Sequence, residues 1–133
     1  EEDIGEILRA PFSSAISDAT YPGTGLLHPR VTGMTAELLH HFVRERRDLT
    51  LEEAVNRLTL RPAERYGLAG KGRIAVGADA DLCLFDPEGF RPVGTYADPR
   101  RAAAGMDWVF VGGRPVLREG QRTGERPGGV LRR

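Results

Sequence analysis

The spacing of apolar residues changes near the middle of the chain, from a helical period to a strand-like one. The first ten residues carry apolar side chains at helical spacing, and Pro11 ends that helix. The same spacing predicts a second helix over about residues 34–47 and a third that begins at Thr50. A short fourth helix ends at Gly67. The first half of the chain is therefore predicted to be helical.

One apolar run in this half lacks the helical spacing. Residues 12–17 form a short stretch compatible with a buried strand, and the stretch ends at Asp18. Residues 21–25 combine proline and glycine as is typical of a turn. A helix, a strand and a loop that carries a carboxylate form the repeat unit of an α/β fold, where function lies at the carboxyl ends of strands.

The second half favours short strands joined by tight turns. It holds 13 of the 17 glycines, whereas the first half holds 4, and glycine supplies the positive φ angles that tight turns need. Residues 81–86 and 108–111 are apolar runs between turn signals and predict strands. Gly112 and Gly113 predict a hairpin turn that leads into residues 115–117.

Composition excludes several classes of function. The 19 basic and 19 acidic residues cancel to a formal net charge of zero, which argues against nucleic acid or a membrane surface as a partner. No apolar stretch approaches the roughly 20 residues of a membrane span. The chain opens on acidic residues without Met, so we expect no secretory signal. Cys83 is the single cysteine; it excludes an internal disulfide, favours a reducing, cytoplasmic compartment, and is expected to be an inert core residue.

Asp18 is the strongest candidate for chemistry. A carboxylate at the carboxyl end of a strand can ligate a metal ion and move protons for a bound water. The alternative is an Asx turn or a helix cap in the following loop, which is the commoner role of an isolated Asp.

His28 and Arg30, which follow Asp18 in the chain, could reach the same site. Arg30 has the planar guanidinium that binds a substrate carboxylate through two hydrogen bonds, although most of the 18 arginines are expected to be surface charges. His28 could line the site or be a structural loop histidine.

His40 and His41 are neighbours on a helix, where side chains diverge by about 100°, so we expect them on a solvated flank. A hydrolytic metal centre needs three or four ligands, which this chain cannot supply alone.

The stretch over residues 72–86 resembles the C-terminal signature of the metal-dependent amidohydrolase superfamily; its sequence is GRIAVGADADLCLFD. In that pattern two glycines at fixed spacing precede an Ala-Asp-Leu core, which is residues 80–82 here. The signature leads the chain from the last helices of a barrel into a β-sandwich. Residues 108–116 are similar to the family's closing hairpin, and residues 59–63 resemble the segment before the turn.

Within the superfamily the sequence is most similar to the N-acyl-D-amino-acid deacylases, or D-aminoacylases. Asp18, a loop and then His28-Pro29-Arg30 resemble the exit of their last barrel strand, and residues 123–133 resemble their C-terminus. The resemblance implies that Asp18 ligates or abuts a catalytic zinc ion and carries a proton from the attacking water to the leaving amine. It places His28 and Arg30 on the substrate side. The remaining ligands, mostly histidines, would lie upstream of this chain.

These observations predict an α/β fold in two parts. Residues 1–69 would be the C-terminal end of a TIM-like metallo-dependent hydrolase barrel, with its last strand and helices. Residues 70–133 would be part of a small β-sandwich, with an irregular tail from residue 121. We expect the whole enzyme to hydrolyse the amide of N-acyl-D-amino acids with the help of zinc, and this chain alone to be inactive.

Two alternatives stay open. The chain could be a stand-alone, non-catalytic binding or assembly module, whose open sheet edges pair with another copy of itself. It could also belong to an amidohydrolase that acts on a cyclic amide, as dihydroorotases and hydantoinases do. The His-Pro-Arg loop and the C-terminal residues favour the deacylase over the cyclic amide.

Overall fold

The computed structural model describes residues 2–20, 25 and 27–131. Within this part of the chain, helices occupy the first half, as the apolar spacing predicts. In chain order they are α1 (Glu2–Arg9), α2 (Arg30–Glu37), a π-helix (Leu38–Glu45), α3 (Leu51–Leu58) and α4 (Leu60–Arg65). The predicted turn over residues 21–25 lies, except for Gly25, outside the described residues.

The capping box predicted at Thr50 is confirmed. The Thr50 hydroxyl accepts a hydrogen bond from the Glu53 backbone N–H at 3.2 Å, while the Glu53 carboxylate accepts one from the Thr50 N–H at 2.8 Å. Each side chain satisfies a backbone donor that the first turn of a helix leaves unpaired. Helix α3 therefore begins at Leu51, as the sequence indicates.

The second helix differs from its prediction over residues 34–47 in both start and geometry. It begins four residues earlier, because Pro29 supplies the fixed φ that suits a helix start. Its second half is a π-helix of eight residues, Leu38–Glu45, and the Arg46 N–H donates to the His41 carbonyl five residues back. Such wide turns are rare and bring residues five apart onto one face.

The second half forms an antiparallel sheet whose strands pair in chain order. Cys83 of the first strand pairs with Val109 of the second, and the Gly112-Gly113 turn joins the second strand to the third, which confirms the predicted hairpin. The tail is not wholly irregular, because its first two residues pair with the third strand as a short fourth strand. The strands are β1 (Leu82–Phe85), β2 (Met106–Val111), β3 (Arg114–Arg118) and β4 (Gln121–Arg122).

The predicted strand over residues 12–17 is wrong for this structure. Residues 13–20 have no regular secondary structure, and the side chains of Phe12 and Ile16 are exposed, at 86% and 78%. A strand needs neighbours for its backbone groups, and in this segment Ala15 N–H donates to the Arg57 carbonyl at the end of α3 instead. The fold class is α/β with a small antiparallel sheet.

One buried cluster joins the helices to the sheet. It contains Leu38 and Leu39 of the π-helix and Phe90 from the loop after β1. Phe85 of β1 and Met106 of β2 pack against the same cluster. Burial of these apolar side chains is the main favourable contribution to the fold, and it holds the sheet against the helices.

The signature segment is a structural connection between helices and hairpin. The Asp81 carboxylate accepts a hydrogen bond from the Gly112 N–H at 2.8 Å and one from the Lys71 ammonium at 2.5 Å. Lys71 also lies 3.0 Å from Asp79. These contacts connect the turn that follows α4 to the turn of the β2–β3 hairpin.

Candidate functional site

Asp18 and Arg30, two of the three residues singled out in the sequence, face each other. Arg30 Nη2 lies 3.7 Å from Asp18 Oδ2. The Asp18 side chain is 86% exposed, and it leaves the irregular segment over residues 13–20 rather than the end of a strand. A carboxylate in this position is open to a ligand from outside the chain, and the guanidinium beside it attracts a second anion.

The backbone of Asp18 is in the left-handed region, with φ at +46°. Residues other than glycine adopt that region rarely, at a cost of the order of 1 kcal/mol, and such residues are enriched at functional sites. Asp and Asn tolerate it better than most other residues do. The conformation turns the chain sharply at the point where the carboxylate is presented.

His28, the third candidate, lies at the start of the helix that carries Arg30. Its Nδ1 accepts a hydrogen bond from the Arg30 backbone N–H at 3.0 Å. This N–H belongs to the first helical residue of α2, where backbone donors have no partner inside the helix. His28 therefore caps the start of α2. It has the structural role of a loop histidine and also lies beside the candidate site.

Tyr96 is a member of this cluster that sequence reasoning missed. Its hydroxyl oxygen lies 2.9 Å from His28 Nε2, and the two rings meet edge to face with their centroids 5.2 Å apart. Tyr96 and His28 are 68 positions apart in the sequence, and no local motif marks the tyrosine. The cluster of Asp18, His28, Arg30 and Tyr96 is hereafter called the Asp18 cluster.

The donor set of the described residues does not make a metal centre. No group of three or more His, Cys, Asp or Glu side chains within residues 2–20, 25 and 27–131 could hold a metal ion. Structural and catalytic zinc sites need at least three protein ligands. Asp18 is thus one candidate ligand without companions in this part of the chain, and a complete metal site would need ligands from outside it.

His40 and His41 do not lie on a freely solvated flank, as the 100° spacing of an α-helix had predicted. Both are half-buried, with His40 Nε2 at 3.4 Å and His41 Nδ1 at 2.8 Å from the Glu45 carboxylate. The π-helix brings positions five apart together, so both rings reach one carboxylate. The hydrogen bond from His41 lowers the pKa of Glu45, while partial desolvation opposes that shift.

Cys83 is an exposed free cysteine rather than the core residue that its apolar neighbours predict. Cys83 and its neighbour Leu84 are the exposed residues of β1. Partial burial among its neighbours nevertheless raises the pKa of the Cys83 thiol, and the Asp81 charge adds to that shift. A thiol with a raised pKa is a weak nucleophile, so the expectation of an unreactive cysteine remains.

No helix in the described part of the chain combines the length and the apolar character that a membrane span requires. The Asp18 cluster brings together charged and ring-bearing side chains from three separate segments of the chain.

Comparisons with known proteins place these features in a family context. Residues 2–117 match the amidohydrolase family. The N-acyl-D-aspartate deacylase of Alcaligenes xylosoxydans xylosoxydans is 39% identical over 132 residues, which are 98% of this chain and 26% of the deacylase. The chain therefore spans about a quarter of the length of that relative.

Two solved structures have the same fold over essentially the whole chain. A D-aminoacylase mutant in complex with CuCl2 superimposes with a TM-score of 0.93 at 34% identity, covering 100% of this chain and 28% of that one. The N-acyl-D-glutamate deacylase of Bordetella bronchiseptica, complexed with zinc and a phosphonate inhibitor, gives 0.91 at 36% identity. That superposition covers 99% of this chain and 27% of the deacylase.

Proposed function

Because the chain belongs to the amidohydrolase family, we propose that it is the C-terminal quarter of a zinc-dependent enzyme that hydrolyses the amide of N-acyl-D-amino acids. The products are a carboxylate and a D-amino acid. The observation that carries this proposal is the superposition of the whole chain on a solved D-aminoacylase. Small N-acyl amino acids are the substrate class, and the neutral net charge supports neither a nucleic acid nor a membrane as partner.

In the longer enzyme, residues 12–17 are the last strand of a TIM-like barrel. The exposed side chains of Phe12 and Ile16 support this assignment, because large apolar side chains of this kind are normally covered. The neighbouring strands would come from polypeptide N-terminal to this chain. We likewise propose that residues 1–69 form the end of the barrel and that residues 70–133, which contain the antiparallel sheet, form part of a β-sandwich.

Asp18 is the catalytic residue of this segment and its contribution to the zinc site. Zinc, when bound, polarises the scissile amide and activates a water molecule. The other ligands must come from the missing polypeptide, since no other described residue joins Asp18 in a metal-binding group. The Asp18 carboxylate takes a proton from the attacking water and delivers it to the nitrogen of the leaving amine.

Arg30 and His28 lie on the substrate side. A D-amino acid carries an α-carboxylate, and a guanidinium binds such a group through two parallel hydrogen bonds. Arg30 Nη2 is 3.7 Å from Asp18 Oδ2, which places a carboxylate-binding cation beside the proposed proton carrier. His28 holds the backbone of Arg30 through the hydrogen bond to its N–H.

The test of the proposal is a substitution in the full-length enzyme. Asp18→Asn retains the shape of the side chain and removes the base, so kcat for N-acetyl-D-amino acids should fall by about 10²–10⁴-fold. Asp107→Asn, in an exposed carboxylate on β2, is the matched control and should leave kcat unchanged. Equal activity of the two variants, or hydrolysis of L-substrates in preference to D-substrates, would contradict the proposal.

The 133-residue chain on its own is expected to be inactive, because Asp18 has no companion ligands among the described residues. Purified chain, assayed with zinc and an N-acetyl-D-amino acid, should release no free amine above the uncatalysed rate. Zinc-dependent deacylation that rises with the purity of the chain would overturn this expectation.

The remaining alternatives concern the isolated chain, the substrate and the compartment. The exposed apolar side chains favour self-association of the isolated chain. A cyclic amide is the less favoured substrate, because the relatives described above are named as deacylases or aminoacylases. Location in the cytoplasm rests on the single cysteine alone.

A further inference from the structure

We infer that Tyr96 is a positioning residue for Arg30, that it acts through His28, and that it sets how tightly the enzyme holds the carboxylate of its substrate. The inference rests on the proposed function, in which Arg30 binds that carboxylate. The observation behind it is a continuous series of contacts from the Tyr96 phenol through the His28 ring to the first residue of α2.

The hydrogen bonds of His28 select one tautomer of its ring. Nδ1 accepts from the Arg30 N–H at 3.0 Å, and a ring nitrogen that accepts carries no proton. In neutral His28 the proton is therefore on Nε2, which lies 2.9 Å from the Tyr96 hydroxyl oxygen. Nε2–H donates to that oxygen. A phenol can also donate, so the Arg30 N–H fixes the tautomer, and the contact with Tyr96 holds the His28 ring in the orientation that caps α2.

The loop that carries Tyr96 is fastened to the same helix. The Thr32 hydroxyl, in the first turn of α2, donates to the Pro99 carbonyl at 3.0 Å. Within the loop the Thr95 hydroxyl accepts from the Asp98 N–H at 3.1 Å. Tyr96 is thus held against the start of α2 by a short side-chain tether, and its ring edge adds a packing contact to His28.

Loss of the phenol oxygen should loosen Arg30. Without that oxygen, the His28 ring loses the contact that holds Nδ1 towards the Arg30 N–H. The first turn of α2 then loses its cap, and the guanidinium loses its fixed direction beside Asp18. Because Arg30 binds substrate but performs no bond-breaking step, the effect should fall on KM rather than on kcat.

The experiment uses Tyr96→Phe in the full-length enzyme, which retains the ring and removes the oxygen. KM for an N-acetyl-D-amino acid should rise about three- to tenfold, with kcat within about twofold of the wild type. Tyr66→Phe, in an exposed tyrosine at the end of α4, is the matched control and should leave both constants unchanged.

Variants of His28 separate this role from a general loss of structure. His28→Ala should raise KM at least as much as Tyr96→Phe does, whereas His28→Asn should restore it, because the Asn amide oxygen can accept the Arg30 N–H without help. In the His28→Asn background, Tyr96→Phe should have no further effect. An equal penalty from Tyr96→Phe in both backgrounds would overturn the inference.

A second readout does not depend on activity. The ¹⁵N resonances of His28 in the full-length protein, assigned by their loss in His28→Asn, should show a proton on Nε2 and none on Nδ1. Tyr96→Phe should move the Nδ1 resonance towards that of a ring nitrogen that accepts no hydrogen bond. A wild type that hydrolyses no N-acyl-D-amino acid refutes the proposed function, while an Nδ1-protonated His28 in the wild type refutes the role of Tyr96.

Discussion

Arg57 fastens the segment that leads to Asp18 onto the helical core. It is buried, with 3% of its surface exposed, and its guanidinium donates to the carbonyls of Leu8 at 2.5 Å and Arg9 at 3.1 Å. Its own carbonyl accepts from the Ala15 N–H. A cation suits the carboxyl end of α1, where the helix dipole is negative. A single residue thus supports the path of the chain towards the candidate catalytic carboxylate.

Arg57→Ala should lower the free energy of unfolding of the chain by about 3 kcal/mol, because carbonyl groups that were bound to a buried cation lose their partner. Urea unfolding followed by the fluorescence of Trp108, the single tryptophan, measures the change. Arg65→Ala, in an exposed arginine of α4, is the control and should cost about 0.5 kcal/mol or less. Similar losses in both variants would contradict the role given to Arg57.

At the scale of elements, the turn that begins the signature segment, residues 72–86, joins the helical half to the sheet. Its first glycine, Gly72, has φ at +77°, and a Cβ there would lie 2.8 Å from backbone atoms of Thr59 and Leu60. The turn can therefore pass close to the junction of α3 and α4 only with glycine at this position. The motif that identifies the family thus has a structural role, and we propose that the chemistry lies in the Asp18 cluster.

Gly72→Ala should destabilise the chain by about 2 kcal/mol or more, because the left-handed conformation and the backbone contact both penalise a side chain. Gly77→Ala is a matched control within the same turn: φ is +82°, but nothing lies within 4 Å of the position of its Cβ. It should cost about 1 kcal/mol. Urea midpoints of the two variants check the difference, and equal midpoints would exclude the close contact as a cause.

The contact between Asp81 and Lys71 should make stability depend on pH. The hydrogen bond from Lys71, followed by that from the Gly112 N–H, lowers the pKa of Asp81 below 3.8. The stabilisation is therefore complete above about pH 3.8 and is lost as the pH falls through the lower folded pKa. Hydrogen bonds to Asp81 and Asp79 raise the pKa of Lys71 above 10.5. The stabilisation that the Lys71 ammonium contributes is therefore lost only as the pH rises through that higher pKa.

Asp81→Asn tests this dependence. The free energy of unfolding of the wild-type chain should decrease between pH 4 and pH 2 by more than that of the variant, since only the wild type must protonate this carboxylate. Asp107→Asn, in an exposed carboxylate of β2, should retain the wild-type slope. Unfolding curves measured across this pH range test the prediction. Parallel slopes for wild type and Asp81→Asn would show that Asp81 does not cause the pH dependence.

At the scale of the whole molecule, much apolar surface is left uncovered. Large exposed side chains occur in the segment before Asp18, in the signature turn and in the tail; they include Phe12, Ile16, Ile74, Val76 and Val130. Extended apolar surface of this kind marks interfaces in folded proteins. Since the chain spans about a quarter of its relatives, the remaining polypeptide of the enzyme is the partner that we propose for this surface.

The isolated chain should therefore self-associate. Light scattering should give a mass that rises with concentration above that of the 14.6 kDa monomer. Replacing both Phe12 and Ile16 by Glu should shift the mass back towards the monomer, because the charges oppose burial of this surface. A clean monomer at high concentration would contradict the prediction.

Much of the local structure could be predicted from the sequence. The capping box at Thr50 and the Gly112-Gly113 hairpin depend on residues within a few positions of each other, and both are confirmed. The strand predicted over residues 12–17 does not form in this chain, because a strand requires neighbours that a local pattern does not contain. The π-helix was missed for the related reason that apolar spacing barely distinguishes it from an α-helix.

The sequence by itself determined the helices, the hairpin, the family and three members of the candidate site, because local spacing and short motifs encode all of these. Tertiary structure alone decided that Tyr96 contacts His28 across 68 positions and that, of the arginines in the described part of the chain, Arg57 is the buried one. Which residues meet across such distances depends on how the helices and the sheet pack together. Packing is a property of the whole chain, and no single segment contains it.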